Sequence, residues 1–175
     1  MKISKKISCF WAGIGVLLLL GIDQITKYLA SAFLKGSNSI ILIKGVFQLH
    51  YLENQGAAFG LFQGKKSWFV VITLLVIMAM IVIYLKLPMK KKFNWMRGII
   101  VLLMSGAFGN LLDRIRLDYV IDFFYFELIN FPIFNMADIY VCCGVGLLLF
   151  LFIFYYKEED LEEIWPSKKK KNDGI

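Results

Sequence analysis

The stretch Asn110–Asp138 reads NLLDRIRLDYVIDFFYFELINFPIFNMAD. Two apolar runs bracket it, one ending near Leu112 and the other starting at Ile139. Each is long enough to cross a bilayer as a helix. Asp113, Asp122 and Asp138 are thereby returned to one membrane face, at the border between water and hydrocarbon. Ionisable groups at that depth are costly to hold and mark function by default.

Working outward, the whole chain carries the same signature. Of its 175 residues, 59% are hydrophobic, against about 45–50% in an ordinary soluble domain. The expected fold class is a membrane protein, mainly α, with four transmembrane helices at about 8–30, 68–87, 98–114 and 138–156. The net charge of +7 sits on lysines and arginines flanking the apolar runs, which is a topology signal and argues against nucleic acid as a partner. With both termini inside, the inner segments hold 13 Lys and Arg and the outer ones seven, which favours cytoplasmic termini and places the acidic stretch at the outer face. Residues 1–157 read as a single integral membrane domain, and 158–175 as a charged cytoplasmic tail, partly disordered.

The first apolar segment also has the outline of a signal peptide, with Ala30-Ser31-Ala32 as a cleavage site. The charged patch Asp23-Gln24-Ile25-Thr26-Lys27 lies where such peptides are neutral, so a retained helix is preferred. Asp23 and Lys27, one turn apart, share a face. Between the first two helices, residues 36–66 form an outer β region on the membrane surface. Phe47, Leu49 and Tyr51 alternate with Gln48, His50 and Leu52, which is the strand period. The stretch Glu53-Asn54-Gln55-Gly56-Ala57-Ala58-Phe59-Gly60 then breaks the pattern with a small-residue turn, able to approach a substrate backbone closely. His50 reads as an ordinary sheet residue. Gly98, Gly106, Ala107 and Gly109 read as small residues that let membrane helices pack closely.

The chemistry is read by elimination. No zinc motif, nucleophile elbow or Cys/His set is present, and neither a metal nor a cofactor is expected. Cys9, Cys142 and Cys143 read as small packing residues of the helices. What remains is aspartates. Two carboxyls close together in a poorly solvated place share one proton, and such a pair activates water and protonates a leaving amine. Asp138 lies at a helix N-terminus, where the dipole favours an anion, so it is expected as the base and Asp122 as the acid. Asp113 is expected as a structural partner of Arg114. A transporter or proton relay also uses membrane carboxylates, but near the midplane and not at span ends; a non-catalytic assembly factor is the other rival.

Five ordered blocks then resemble bacterial lipoprotein signal peptidases, the type II signal peptidases: Asp23-Gln24-x-Thr26-Lys27, Asn54-x-Gly56-Ala57-Ala58-Phe59-Gly60, Gly106-x-x-Gly109-Asn110-x-x-Asp113-Arg114, Val120-Ile121-Asp122-Phe123, and Phe131-Pro132-x-Phe134-Asn135-x-Ala137-Asp138. One departure is Ser105, where many members carry a glycine. The resemblance implies a membrane aspartyl endopeptidase of the inner (cytoplasmic) membrane. It would cut diacylglyceryl prolipoproteins before the lipidated cysteine, with the acyl chains left among membrane lipid. It implies Asp122 and Asp138 as the catalytic dyad. Asp23, Lys27, Asn54, Gly56, Asn110, Asp113, Arg114, Asn135 and Ala137 are implied as site-shaping or substrate-contacting residues. A monomer is expected.

Overall fold

The computed structural model describes residues 4–56 and 66–165. Among them, four helices are long and apolar enough to cross a membrane. α1 spans Lys5–Leu34, α2 Lys66–Lys86, α3 Asn94–Leu117 and α4 Met136–Phe154. At 1.5 Å per residue, a 30-residue α1 is about 45 Å long, more than the hydrocarbon thickness of about 30 Å. Its ends therefore protrude into the interfaces.

Two of these helices carry little charge and expose most of their apolar side chains. α2 displays Trp68, Val71, Ile72, Leu75, Met78 and Val82, and α4 displays Leu147, Leu149, Phe150, Ile153 and Phe154. In water such faces would be untenable; in a bilayer they meet lipid. The central helix is α3, which packs against α1, α2 and α4. At the end where α2 leads into α3, Leu87, Phe93, Met96, Ile99, Leu151 and Tyr156 form one buried cluster. Arg97 is buried there too, and its guanidinium donates to the carbonyls of Leu87 (3.0 Å) and Pro88 (2.8 Å). It closes the C-terminal end of α2, where unpaired carbonyls collect.

Close packing of α3 on α4 depends on glycine at one position above all. A Cβ on Gly106 would stand 2.5 Å from the Ala137 carbonyl oxygen and 2.7 Å from Val141 Cγ2. A helix backbone cannot yield as a flexible side chain does. Gly106→Ala is expected to lower stability by about 1–3 kcal/mol through forced separation of the two helices. Gly98→Ala, with nothing within 4 Å of its Cβ position, is expected to be neutral or slightly stabilising, since alanine is the better helix former. Thermal unfolding of the two variants in detergent checks the contrast. Ser105, in place of the resembling family's glycine, is fully buried and donates from Oγ to the Val101 carbonyl at 2.7 Å.

At the opposite end lies a three-stranded antiparallel sheet in the order β1-β2-β3, with β1 Ile40–Ile43, β2 Phe47–Asn54 and β3 Val120–Phe126. The tight turn joining β1 to β2 uses Gly45 at φ +71°, a left-handed conformation that glycine adopts without strain. β2 pairs with β3 from Phe47↔Phe126 to Asn54↔Val120, with an irregularity between Leu49 and Leu52. The sequence places the outer β region at 36–66 only; the third strand comes from beyond α3. β3 is buried on both faces. Ile121 and Phe123 pack on Ala30 and Leu34 of α1, and the strand period sends Val120 and Asp122 the other way. The turn expected after Asn54 lies, beyond Gly56, outside the described residues.

The charged tail begins with a short helix, α5, Glu158–Ile164. Asp160 pairs with Lys92 and Glu163 with Lys90, so this acidic turn neutralises the basic connector ahead of α3. Lys86 stands over the Trp165 ring at 3.9 Å. The lysines at 168–171 lie outside the described residues.

Candidate active site

The site forms where the N-terminus of α4, the last turns of α3, the C-terminal half of α1 and the β2–β3 edge meet. Asp122 comes from β3. A backbone bridge fixes what stands beside it: the N–H groups of Phe123 and Phe124 donate to the Phe134 carbonyl, and the Phe134 N–H donates to the Phe124 carbonyl. The next residue along, Asn135, is therefore delivered alongside Asp122.

Asn135 is the N-cap of α4. Its Oδ1 accepts from the Asp138 N–H (3.0 Å), while its own N–H donates to Asp138 Oδ2 (3.0 Å). This reciprocal capping box satisfies two backbone donors and locks the Asp138 side chain. Asn135 Nδ2 also donates to Asp122 Oδ1 at 2.7 Å. One fully buried asparagine thus holds both carboxylates. Asn54 Nδ2 donates to the other oxygen of Asp122 at 2.8 Å, and Asn110 Nδ2 donates to Asp138 Oδ1 at 2.7 Å.

Asp122 is 2% exposed. Burial, and next the nearby charge of Asp138, push its carboxyl up to about 7, against the pull of the Asn54 and Asn135 amides. Desolvation and a like charge both disfavour the ionised form, whereas donors favour it.

Behind these residues lies a buried ion cluster. Lys27 bonds Asp23 Oδ2 at 3.0 Å and Asp113 Oδ2 at 2.9 Å, all three side chains being almost fully enclosed. Asp113 was expected to pair with Arg114. It pairs instead with Lys27, and accepts from Gln24 Nε2 (2.9 Å) and the Ile121 N–H (3.2 Å). Adjacent residues on a helix point about 100° apart, so Asp113 and Arg114 face different neighbours. Asp23 Oδ1 accepts from the Ala137 N–H at 2.9 Å, a second capping contact at the start of α4. Ala137 is wholly buried, and a Cβ on Gly109 would stand 3.1 Å from its side chain. Its contribution is smallness and a backbone donor.

Arg114 reaches across to the β2 edge. Its guanidinium donates to the Gly56 carbonyl (3.2 Å) and the Asn110 carbonyl (3.4 Å), and lies 4.7 Å from the centre of the Phe69 ring. Asn54 Oδ1 accepts from the Gly56 N–H at 2.9 Å. All eleven residues picked out by the sequence therefore fall in one connected constellation. Gln24 was missed as a member; it lies within the Asp-Gln-x-Thr-Lys block.

A cavity of ≈ 560 Å³ opens over the carboxylates. Asn54, Asn110, Arg114, Asp122 and Asp138 form its polar end, while Phe131, Pro132, Ile133, Val141, Cys142 and Cys143 line the rest. The two cysteines correct an expectation. They are exposed and lie on the cavity wall, not in a helix–helix contact, because the face of α4 that meets α3 is carried by Val141 and Gly144 on either side of them. Among the described residues no His/Cys/Asp/Glu group has the arrangement of a metal site.

Comparison with known proteins agrees with this architecture. The family described as Signal peptidase (SPase) II matches residues 15–154. A lipoprotein signal peptidase of Caldanaerobacter subterraneus subsp. tengcongensis is 42% identical over 140 residues, covering 79% of this chain and 93% of that protein. One of Clostridium tetani is 40% identical over 153 residues, covering 85% and 95%. Two solved bacterial membrane enzymes superpose with TM-scores of 0.71. They are 28% and 30% identical and cover 91% and 83% of this chain, 93% and 94% of their own. With four membrane-crossing helices and a match across most of its length, this multi-pass membrane peptidase belongs to the signal peptidase II family.

Proposed function

We propose that the protein is an aspartic endopeptidase that removes signal peptides from diacylglyceryl-modified prolipoproteins, cutting just before the lipidated cysteine. The observation that carries this reading is the pair of hydrogen bonds from Asn135, its N–H to Asp138 Oδ2 and its Nδ2 to Asp122 Oδ1, at the polar end of an apolar cavity. Asp138, at the start of α4 and served by two N–H donors, is the base. Asp122, raised to about 7, carries the shared proton.

The reaction balances with these two groups alone. Asp138 takes a proton from water as its oxygen attacks the scissile carbonyl, and Asp122 protonates the carbonyl oxygen. The resulting diol collapses: Asp138 gives its proton to the leaving nitrogen, the C–N bond breaks, and Asp122 recovers a proton from a diol hydroxyl. Arg114, Asn54 and the Gly56 carbonyl line the strand edge and are placed to hold the peptide backbone. The apolar wall, Cys142 and Cys143 included, accepts the lipidated side. By the distribution of Lys and Arg, both termini are cytoplasmic and the site lies near the outer face. The enzyme acts as a monomer.

Incubation of detergent-purified protein with a diacylglyceryl prolipoprotein peptide tests this reading. Mass spectrometry is expected to find one cut, with the lipidated cysteine as the new N-terminus, and little cutting of the unlipidated peptide. Equal cleavage of both peptides would remove the lipid from substrate recognition.

The pH dependence follows from Asp122. Its proton is retained below about 7 and lost above it, so kcat/KM is expected to fall as pH rises through that value. Removing the Asn54 donor disfavours the ionised form further. Asn54→Ala is therefore expected to move the alkaline limb to higher pH while lowering the maximum rate. A limb that moves down, or not at all, would reassign the acid.

A further inference from the structure

We propose that Lys27 is a positioning residue: its ammonium fixes the sense of the Asn110 amide, so that Nδ2 and not Oδ1 faces Asp138. This rests on the dyad reading above. An ammonium has three donors and no acceptor, whereas an asparagine amide presents either an oxygen or an NH2 depending on its partners. All three Lys27 protons are directed: to Asp23 Oδ2 (3.0 Å), Asp113 Oδ2 (2.9 Å) and Asn110 Oδ1 (3.0 Å). Asn110 Oδ1 also accepts from Asn135 Nδ2 at 3.1 Å. With its oxygen held from two sides, the amide turns its NH2 to Asp138 Oδ1, 2.7 Å away. Asp23 and Asp113 in turn hold the ammonium in place.

The cost of the arrangement supports the assignment. Two carboxylates and one ammonium are enclosed together, and replacing buried ions by apolar residues of similar volume is often neutral or stabilising. As mere packing, the cluster is a poor choice. As a donor that cannot accept, at the head of a hydrogen-bond chain that ends on the base, it holds the Asn110 oxygen in one sense only. The charged groups facing Asp138 and Asp122 are Lys27 and Asp23 from α1, and Asp113 and Arg114 from α3. Of these, Lys27 alone donates to the side-chain amide that bonds Asp138, whereas Arg114 reaches only the Asn110 backbone carbonyl.

The test compares Lys27→Met with wild type on the lipidated peptide, and uses a second pair of variants in case the single variant fails to fold. In that pair, Asp23→Asn/Asp113→Asn keeps the ammonium, and the triple variant with Lys27→Met lacks it. Loss of the ammonium is expected to cost about 30-fold in kcat, with KM changed less than about threefold, as a misaligned catalytic group does. The alkaline limb should move to higher pH without Lys27, because its positive charge favours ionised Asp122, and to lower pH in the double variant. A purely structural role predicts losses that track the melting temperature. A kcat within threefold for any folded variant lacking Lys27, or unmoved limbs, overturns the proposal. So does failure of every such variant to fold, since the ammonium's work would then be in the fold. Asp138→Asn, run alongside, separates the two readings: if it stays active, the dyad itself is wrong.

Discussion

Asp138→Asn is expected to lower kcat by about 1,000-fold or more while leaving the fold intact. General acid–base groups typically contribute about 100- to 10,000-fold, and an amide at this position cannot take a proton from water. It can, however, still accept from the Asn135 N–H through its own oxygen, so the capping contact that starts α4 survives. Asp122→Asn is expected to cost a similar factor for a different reason: the proton donor is gone. The two variants should separate in stability. The Asp122 carboxyl is raised to about 7 by burial, so whatever stability it contributes is fully present below the ordinary carboxylate value of 3.8 and is lost as pH rises through about 7. Above that pH, Asp122→Asn removes a buried charge and is expected to match or exceed the wild-type melting temperature. The double variant should be no slower than the worse single one, because the two groups act as a unit. Single-turnover cleavage and thermal unfolding across pH check all three statements. Cleavage by either single variant at more than about a tenth of the wild-type rate would remove that residue from the chemistry.

How much of this was legible in the residues depends on whether the signal is local. The four spans were, because a run of about 20 apolar residues has few other readings. β3 was not. Its sequence, Val120-Ile-Asp-Phe-Phe-Tyr-Phe, lacks alternation because both faces are covered, by α1 on one side and the cavity wall on the other, and a doubly buried strand loses the period-two pattern. The wrong partner for Asp113 has a similar origin. Sequence adjacency suggested Arg114, whereas Lys27 lies 86 positions away and meets Asp113 only through α1–α3 packing. The exposure of Cys142 and Cys143 was equally hidden, since an apolar helix shows little in its sequence of which side meets lipid and which meets protein. The start of α5 was masked by its charge; its stabilising partners, Lys90 and Lys92, stand on another connector. Asn135 is the instructive case. An N-cap residue followed three positions later by an acid, just ahead of an apolar run, is a local helix-start signature. The residues carried that information, but its catalytic consequence needed β3 alongside.

Asn135→Ala is therefore the substitution expected to damage both stability and catalysis, and its two effects can be taken apart. On the stability side, loss of an asparagine N-cap costs about 1 kcal/mol, within a range of roughly 0.5–2. Groups left unpaired in a buried place add roughly 1–3 kcal/mol more. On the catalytic side, Asp122 loses its 2.7 Å donor and Asn110 loses one of the two that hold its oxygen, so both carboxylates are freed at once. A loss of about 100-fold or more in kcat is expected from such misalignment. Asn135→Ser separates the terms. Serine caps a helix as well as asparagine does, and its hydroxyl can accept from the Asp138 N–H, but it has no NH2 to reach Asp122 and Asn110 together. Asn135→Ser should therefore recover most of the melting temperature and little of the rate. Its alkaline limb should shift to higher pH, because Asp122 has lost a donor that favoured its ionised form. Full recovery of kcat in the serine variant would mean that the cap alone matters, and that Asn135 does not join the two aspartates into one catalytic unit.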